Sequence, residues 1–235
     1  LADPVAGQRP RVRLDAGALL GQLRGRVVEA LVHPHANHVL KKALEAMPTE
    51  QVAFIAEELL GSGAWASRHR FGCRIMLRLV RHSLDAWAGA GARAALAEAL
   101  EGAGELCRDE FGKFVAEEIM QGGISEHRRI IMTALRARLP HHARHEHASF
   151  LIQRALRGAA EPTEMSEMAE ELLAHRDTVQ SLVRNQFGRY VLRDLSQSPE
   201  HAQRVRSMTR SMAGELEASK QGRKLMTGLM TSDGP

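Results

Sequence analysis

The sequence predicts an all-α fold, a helical solenoid, and three observations predict it. One phrase returns along the chain: an aromatic, a glycine and a pair of apolar residues, in "FGCRIMLRLV" (71–80), "FGKFVAEEIM" (111–120) and "FGRYVLRDLS" (187–196). Around that phrase the apolar residues keep helical spacing. Between the copies lie further helix-forming stretches, and strand signals are almost absent.

The small residue of the phrase serves as position zero. It is Gly72, Gly112 and Gly188 in the clear copies. Looser copies place Ala36 in "HANHVLKKAL", Ala148 in "HASFLIQRAL" and Gly222 in "QGRKLMTGLM", so the unit recurs every 34–40 residues. Positions plus three and plus four are apolar in all six: Val39/Leu40, Ile75/Met76, Val115/Ala116, Leu151/Ile152, Val191/Leu192 and Leu225/Met226. Plus seven is apolar too, as Ala43, Leu79, Ile119, Ala155, Leu195 and Leu229. Positions 0, 3, 4 and 7 share one helical face, and a small residue at zero lets a neighbouring helix approach closely.

The intervening stretches, such as "TEQVAFIAEELL" and "GARAALAEALEG", are rich in Ala, Leu and Glu, which favour helix. Pro48, Gly61, Gly63, Gly102, Gly104, Pro140, Pro162 and Pro199 punctuate them. Each unit is too small to bury its own apolar face, so the units must stack. Residues 1–20 read as an N-terminal cap or linker, 21–230 as the repeat domain and 231–235 as a tail. No run of eighteen apolar residues is present, so no membrane partner is expected. Two cysteines, Cys73 and Cys107, make no disulfide framework and suit a reducing compartment.

Positions plus one, plus two and plus five point away from the apolar stripe. In chain order they are Asn37/His38/Lys41, Cys73/Arg74/Leu77, Lys113/Phe114/Glu117, Ser149/Phe150/Gln153, Arg189/Tyr190/Arg193 and Arg223/Lys224/Thr227. Seven of these eighteen are Lys or Arg and one is Glu, a balance of +6 in a chain whose net charge is +4. Basic charge is therefore concentrated on this strip, as a polyanion partner requires. The plus-two column adds flat groups: His38, Arg74, Phe114, Phe150 and Tyr190, followed by Lys224. Rings and guanidiniums one repeat apart, interleaved with cations, suit the splayed bases of single-stranded RNA. Phe71, Phe111 and Phe187, which precede the small residue, read as structural.

The phrase, with its order of aromatic, Gly, edge residue, stacking residue, two apolar residues and a second edge residue, resembles the Pumilio (PUF) repeat family of RNA-binding proteins. "FGCRIML", "FGKFVAE", "HASFLIQ" and "FGRYVLR" are close to the family pattern; "HANHVLK" and "QGRKLMT" are weaker. The resemblance implies a right-handed α-solenoid of about six three-helix repeats whose concave face binds single-stranded RNA, one base per repeat, with the strand antiparallel to the protein. It implies stacking or clamping by His38, Arg74, Phe114, Phe150, Tyr190 and Lys224. Base edges or phosphates would meet Asn37, Lys41, Cys73, Lys113, Glu117, Ser149, Gln153, Arg189, Arg193, Arg223 and Thr227. It further implies messenger-RNA binding and post-transcriptional regulation in the cytoplasm, with the nucleolus as the alternative, by a monomer that recruits protein effectors without catalysis or cofactor.

The chain departs from the family in two ways. Typical family domains have eight repeats. Of the family's edge pairs only Ser149/Gln153 fits, implying adenine there; Asn37 and Cys73 are each half a pair, and Lys113/Glu117, Arg189/Arg193 and Arg223/Thr227 match none. A good bidentate base contact supplies about 1–3 kcal/mol of discrimination, so relaxed sequence preference is expected.

Other signals carry less. His141, His142, His145 and His147 in "HHARHEH" offer nitrogen ligands, but no cysteine pair lies nearby to complete a zinc site. "GAGARA" (89–94) follows a helical stretch rather than the strand a dinucleotide loop needs. No activating partner can be assigned to Cys73 as a nucleophile. The rival readings are a protein-binding scaffold of the armadillo or HEAT kind, a ribosome-assembly protein like those of one branch of the Pumilio family, and a nucleic-acid chaperone without base preference.

Overall fold

A computed structural model of the protein describes residues 16–85, 89–159 and 161–216, together with Arg223. Its elements fall into triplets. Repeat one is α1 (Ala16–Gly21), α2 (Val27–Val32) and α3 (Ala36–Ala46); repeat two is α4 (Thr49–Glu57), α5 (Gly63–Arg68) and α6 (Gly72–His82). Repeat three is α7 (Ala90–Glu101), α8 (Ala103–Arg108) and α9 (Gly112–Gly122). Repeat four is α10 (Ser125–Arg136), α11 (Leu139–His142) and α12 (Ala148–Arg154), which runs into a π-turn at Ala155–Ala159. Repeat five is α13 (Pro162–Leu173), α14 (Arg176–Arg184) and α15 (Gly188–Gln197), and repeat six opens with α16 (Ala202–Ser211) and α17 (Ala213–Leu216). There is no strand among the described residues. The start of α1 overlaps the stretch read as a cap, and the sixth phrase apart from Arg223, with Lys224 and Thr227, lies outside the described residues.

The third helix of each triplet carries the repeated phrase, and its periodicity becomes packing. Leu40, Met76, Ala116, Ile152 and Leu192 at plus four are all fully buried, and Ala43, Leu79, Ile119, Ala155 and Leu195 at plus seven are buried as well. At plus three, Ile75, Val115, Leu151 and Val191 are sealed, whereas Val39 is 36% exposed. Helix α6 packs on α3, α9 on α6, α12 on α9 and α15 on α12. Val39 stands on the first of these helices, where no preceding third helix covers it among the described residues.

The small residue at zero admits the middle helix of its own repeat. A Cβ on Gly112 would stand 2.7 Å from the Leu106 carbonyl oxygen, and one on Gly188 would stand 2.7 Å from that of Leu182. Contacts this close are tolerated only by glycine. Gly72 abuts the Ala66 carbonyl in the same way. The middle helices then bury Ala30/Leu31, Ala66/Ser67, Leu106/Cys107, His142/Ala143 and Leu182/Val183 beneath the third helices.

Carboxylates tie successive repeats at the first turn. Gly25 and Gly61 take φ of +75° and +80°, a region glycine enters at little cost. The Gly25 and Val27 amides donate to Glu58 at 2.7 and 3.1 Å, and the Gly61 and Gly63 amides donate to Glu98 at 2.7 and 2.8 Å. Each acceptor comes from the following repeat, so the stack is fastened by charge-assisted hydrogen bonds as well as by its core.

Candidate nucleic-acid interface

A column of acceptors three residues before position zero starts each third helix. His33 Nδ1 accepts from the His35 and Ala36 amides at 3.2 Å each, and His69 Nδ1 accepts from Phe71 and Gly72 at 3.3 and 3.2 Å. Asp109 Oδ1 does the same for Phe111 and Gly112 at 2.8 and 2.7 Å, and Asn185 Oδ1 for Phe187 and Gly188 at 2.8 and 2.9 Å. His145 Nδ1 accepts from the His147 amide at 3.2 Å. Free amides at a helix start need acceptors, and these side chains supply them. Burial pushes the His69 and His145 imidazoles below their ordinary range, which keeps them in the accepting form. Sequence reasoning missed this column, although a polar acceptor at minus three could be read from every described copy.

The residues singled out at plus one divide by size. Asn37, Cys73 and Ser149 are 2%, 4% and 2% exposed. Each turns its polar tip back on its own chain. Asn37 Nδ2 donates to the His33 and Pro34 carbonyls at 2.7 and 3.0 Å, Cys73 Sγ reaches the Arg70 carbonyl at 3.7 Å, and Ser149 Oγ donates to Glu146 at 3.3 Å. Burial raises the Cys73 thiol and pushes Cys107 up to about 12, so neither offers a thiolate. Lys113 and Arg189, too long to be recessed, stay half-buried on the surface.

The plus-two groups face outward. His38 and Arg74 are exposed, Phe114 is 43% and Phe150 37% exposed, and Tyr190 is half-buried. None joins the hydrophobic interior. Cations attend the rings: Lys113 Nζ lies 5.1 Å from the Phe114 centroid, and the Arg154 guanidinium 5.9 Å from that of Phe150. The Arg189 and Arg193 guanidiniums lie 4.5 and 5.1 Å from the Tyr190 centroid. Phe71, Phe111 and Phe187, by contrast, are half-buried at the entry to their helices.

At plus five, Gln153 Nε2 donates back to the Ser149 carbonyl at 3.2 Å, and Lys41 pairs with Glu45 at 3.7 Å. Glu117 accepts from Arg154 at 2.6 Å and from Gln121 at 3.1 Å. It belongs to a ladder that the sequence reading did not foresee. Plus nine of one third helix meets plus six of the next in Glu45–Arg78 (2.7 Å), Arg81–Glu118 (3.3 Å) and Arg157–Asp194 (2.7 Å), with Arg154–Glu117 as the variant rung. Lys42 and Arg78 hold the Glu45 carboxyl down at about 2. Arg193 is exposed, and so is Arg223.

The histidines of "HHARHEH" are engaged within the protein. His142 is buried, with Nδ1 2.9 Å from the Leu135 carbonyl and Nε2 3.2 Å from Arg108, while His147 Nδ1 lies 3.2 Å from Lys113 Nζ.

These features define a helical-repeat protein that presents one strip of flat and cationic groups across successive third helices. Residues 26–60 and 67–86 match the Pumilio-family RNA binding repeat, and the matched stretch includes "HANHVLK", one of the copies furthest from the phrase. No curated protein matches the chain. Among solved structures, the Puf3 RNA binding domain bound to Cox17 RNA is similar over 91% of this chain and 66% of its own, at 19% identity and a TM-score of 0.78. PUF-8 in complex with PBE-RNA is similar over 92% and 64%, at 21% identity and a TM-score of 0.81. The RNA-binding domain of yeast Puf5p bound to SMX2 RNA matches over 90% and 60%, at 13% identity and a TM-score of 0.69. At these identities the likeness establishes the fold, and the chain spans just under two thirds of the length of those structures. With the repeat match over residues 26–60 and 67–86, the chain is similar to Pumilio-family RNA binding repeats in that segment and shares the fold of these domains over nine tenths of its length.

Proposed function

We propose that the protein binds single-stranded RNA along the face formed by α3, α6, α9, α12 and α15, and that it acts in post-transcriptional control of messenger RNA with relaxed base preference. The observation that carries this reading is the line of outward flat groups, Arg74, Phe114, Phe150 and Tyr190, on helices that pack side by side in chain order. A ring left a third or more exposed beside a cation favours a partner with π-faces and negative charge, and single-stranded RNA has both. Relaxed preference follows from the edge positions. Gln153, Asn37 and Glu117 are engaged within the protein, and Lys113 and Arg189 are cations rather than base-pairing amides.

Fluorescence anisotropy with labelled RNA tests the proposal. Single-stranded RNA should bind and duplex DNA of equal length should not compete. The affinity should fall with salt, with a log–log slope no steeper than about −5 if all seven cations of the strip met phosphates. Phe150→Ala should weaken binding by about 1–3 kcal/mol, the worth of one stacked base. Unchanged affinity in that variant, or equal competition by duplex DNA, would defeat the reading.

A further inference from the structure

We propose that the third helices grip RNA in two different ways: α6 and α12 each receive a base, whereas α9 and α15 hold the phosphodiester backbone. The inference rests on the RNA-binding reading above and assigns parts within it.

Helices α6 and α12 start with a small, recessed side chain. Cys73 and Ser149 are almost wholly buried, and their polar tips bond to carbonyls of their own turn. Next to each stands an exposed flat group, Arg74 or Phe150. With no cation at plus one, a base can lie on that flat group without displacing a charged side chain from its first turn. Helices α9 and α15 fill the same place with Lys113 and Arg189, both half-buried. These side chains lie over the neighbouring rings, and Arg189 also donates to the Tyr190 hydroxyl at 2.7 Å. At Tyr190 a second guanidinium, Arg193, stands 5.1 Å from the centroid. A base stacking there must first evict a cation.

The charge of these cations is unspent. The partners of Lys113 and Arg189 are an imidazole nitrogen at 3.2 Å, the Gln186 carbonyl at 3.3 Å and the phenol. By contrast Arg78 and Arg81 on α6, Arg154 on α12 and Arg157 in the π-turn that follows it are each matched to a carboxylate in the ladder. Two populations of cation therefore coexist: one neutralised between repeats, the other held without a counter-charge at the first turn of α9 and α15. An uncompensated guanidinium or ammonium on an open surface takes a phosphate, and such contacts carry salt dependence without sequence information.

Two measurements on the whole chain test this: the salt dependence of RNA affinity and the enriched motif from a random single-stranded RNA pool. Arg189→Ala with Arg193→Ala should weaken all sequences equally, reduce the log–log salt slope by about 1.4 and leave the motif intact. Lys113→Ala should reduce the slope by about 0.7 and also spare the motif. Ser149→Arg, which puts at plus one of α12 the cation that α15 carries, should erase preference at one position and steepen the slope. Thermal melts monitored by circular dichroism check that each variant stays folded. A variant at Arg189 and Arg193 that loses preference at one base while keeping its slope overturns the assignment and leaves RNA binding standing. Wild-type protein that captures no single-stranded RNA overturns both.

Discussion

Repeats four and five sit side by side on the same scaffold and present different chemistry. Helix α12 offers Phe150 and Gln153 on its outer face with Ser149 buried beside them; α15 offers Arg189, Tyr190 and Arg193. Behind those faces the two are alike: Leu151/Ile152 and Val191/Leu192 are fully buried, with Ala155 and Leu195 below them. The difference teaches that the stack is specified by one set of helix positions and the ligand surface by another. Sequence can change on the surface without disturbing the stack, because the two sets point in opposite directions.

The largest effects should come from the shared set, and they should be equal. Ile152→Ala and Leu192→Ala each remove a fully buried branched side chain at plus four, so each should cost about 2–5 kcal/mol in a urea titration. The pairing would break if one proved costly and the other neutral, for then the repeats would not share a core.

A smaller effect should separate the two repeats at position zero. Gly188 lies against the Leu182 carbonyl, where an added Cβ would meet oxygen at 2.7 Å and the Leu182 Cα at 2.8 Å. Repeat four already carries Ala148, fully buried, at the same place. Gly188→Ala should therefore destabilise by about 1–3 kcal/mol, as overpacking does. Ala148→Gly should cost about 1 kcal/mol or less, the propensity term of a glycine in a helix. Equal losses in urea would show that the middle helix approaches both repeats to the same distance.

On the ligand side the comparison sharpens into an inequality. Phe150 is 37% exposed with one guanidinium at 5.9 Å, whereas Tyr190 is half-buried with guanidiniums at 4.5 and 5.1 Å. Against the loss of about 1–3 kcal/mol expected for Phe150→Ala, Tyr190→Ala should lose less than about 1 kcal/mol of RNA affinity. Parity between the two variants, measured by the same titration, would mean that bases stack in both repeats alike.

What the sequence revealed follows the same division. The stack was legible because apolar residues at 0, 3, 4 and 7 carry their own geometric meaning, and the outward rings were legible as the complement of that stripe. The ladder was hidden because its rungs join plus nine of one helix to plus six of the next. Glu45 and Arg78, 33 residues apart, have no visible relation until the helices are laid side by side. The minus-three column was hidden for a chemical reason. His, Asp and Asn look unrelated as residue types and share only an acceptor placed to meet two amides. Val39 broke the plus-three rule because a periodic pattern cannot show which repeat has a neighbour before it.

That acceptor column supplies the finest contrast, since repeat four uses His145 and repeat five Asn185. Burial lowers the His145 imidazole, and His147, Arg108, His141 and His142 add to the effect. A folded value below the unfolded one means that the cap's stability is fully present above the ordinary imidazole range near 6.5, and is lost as pH falls through the lower folded value. Protonation turns Nδ1 from acceptor to donor, and the His147 amide loses its partner. Amide hydrogen exchange should show His147 losing protection as pH falls below the ordinary imidazole range, by up to the roughly 1 kcal/mol that a helix cap contributes. Phe187, held by an amide oxygen that does not titrate, should show no such step once intrinsic exchange is corrected. His145→Asn should abolish the step in repeat four, and a step that survives that replacement would place the titration elsewhere in the histidine cluster.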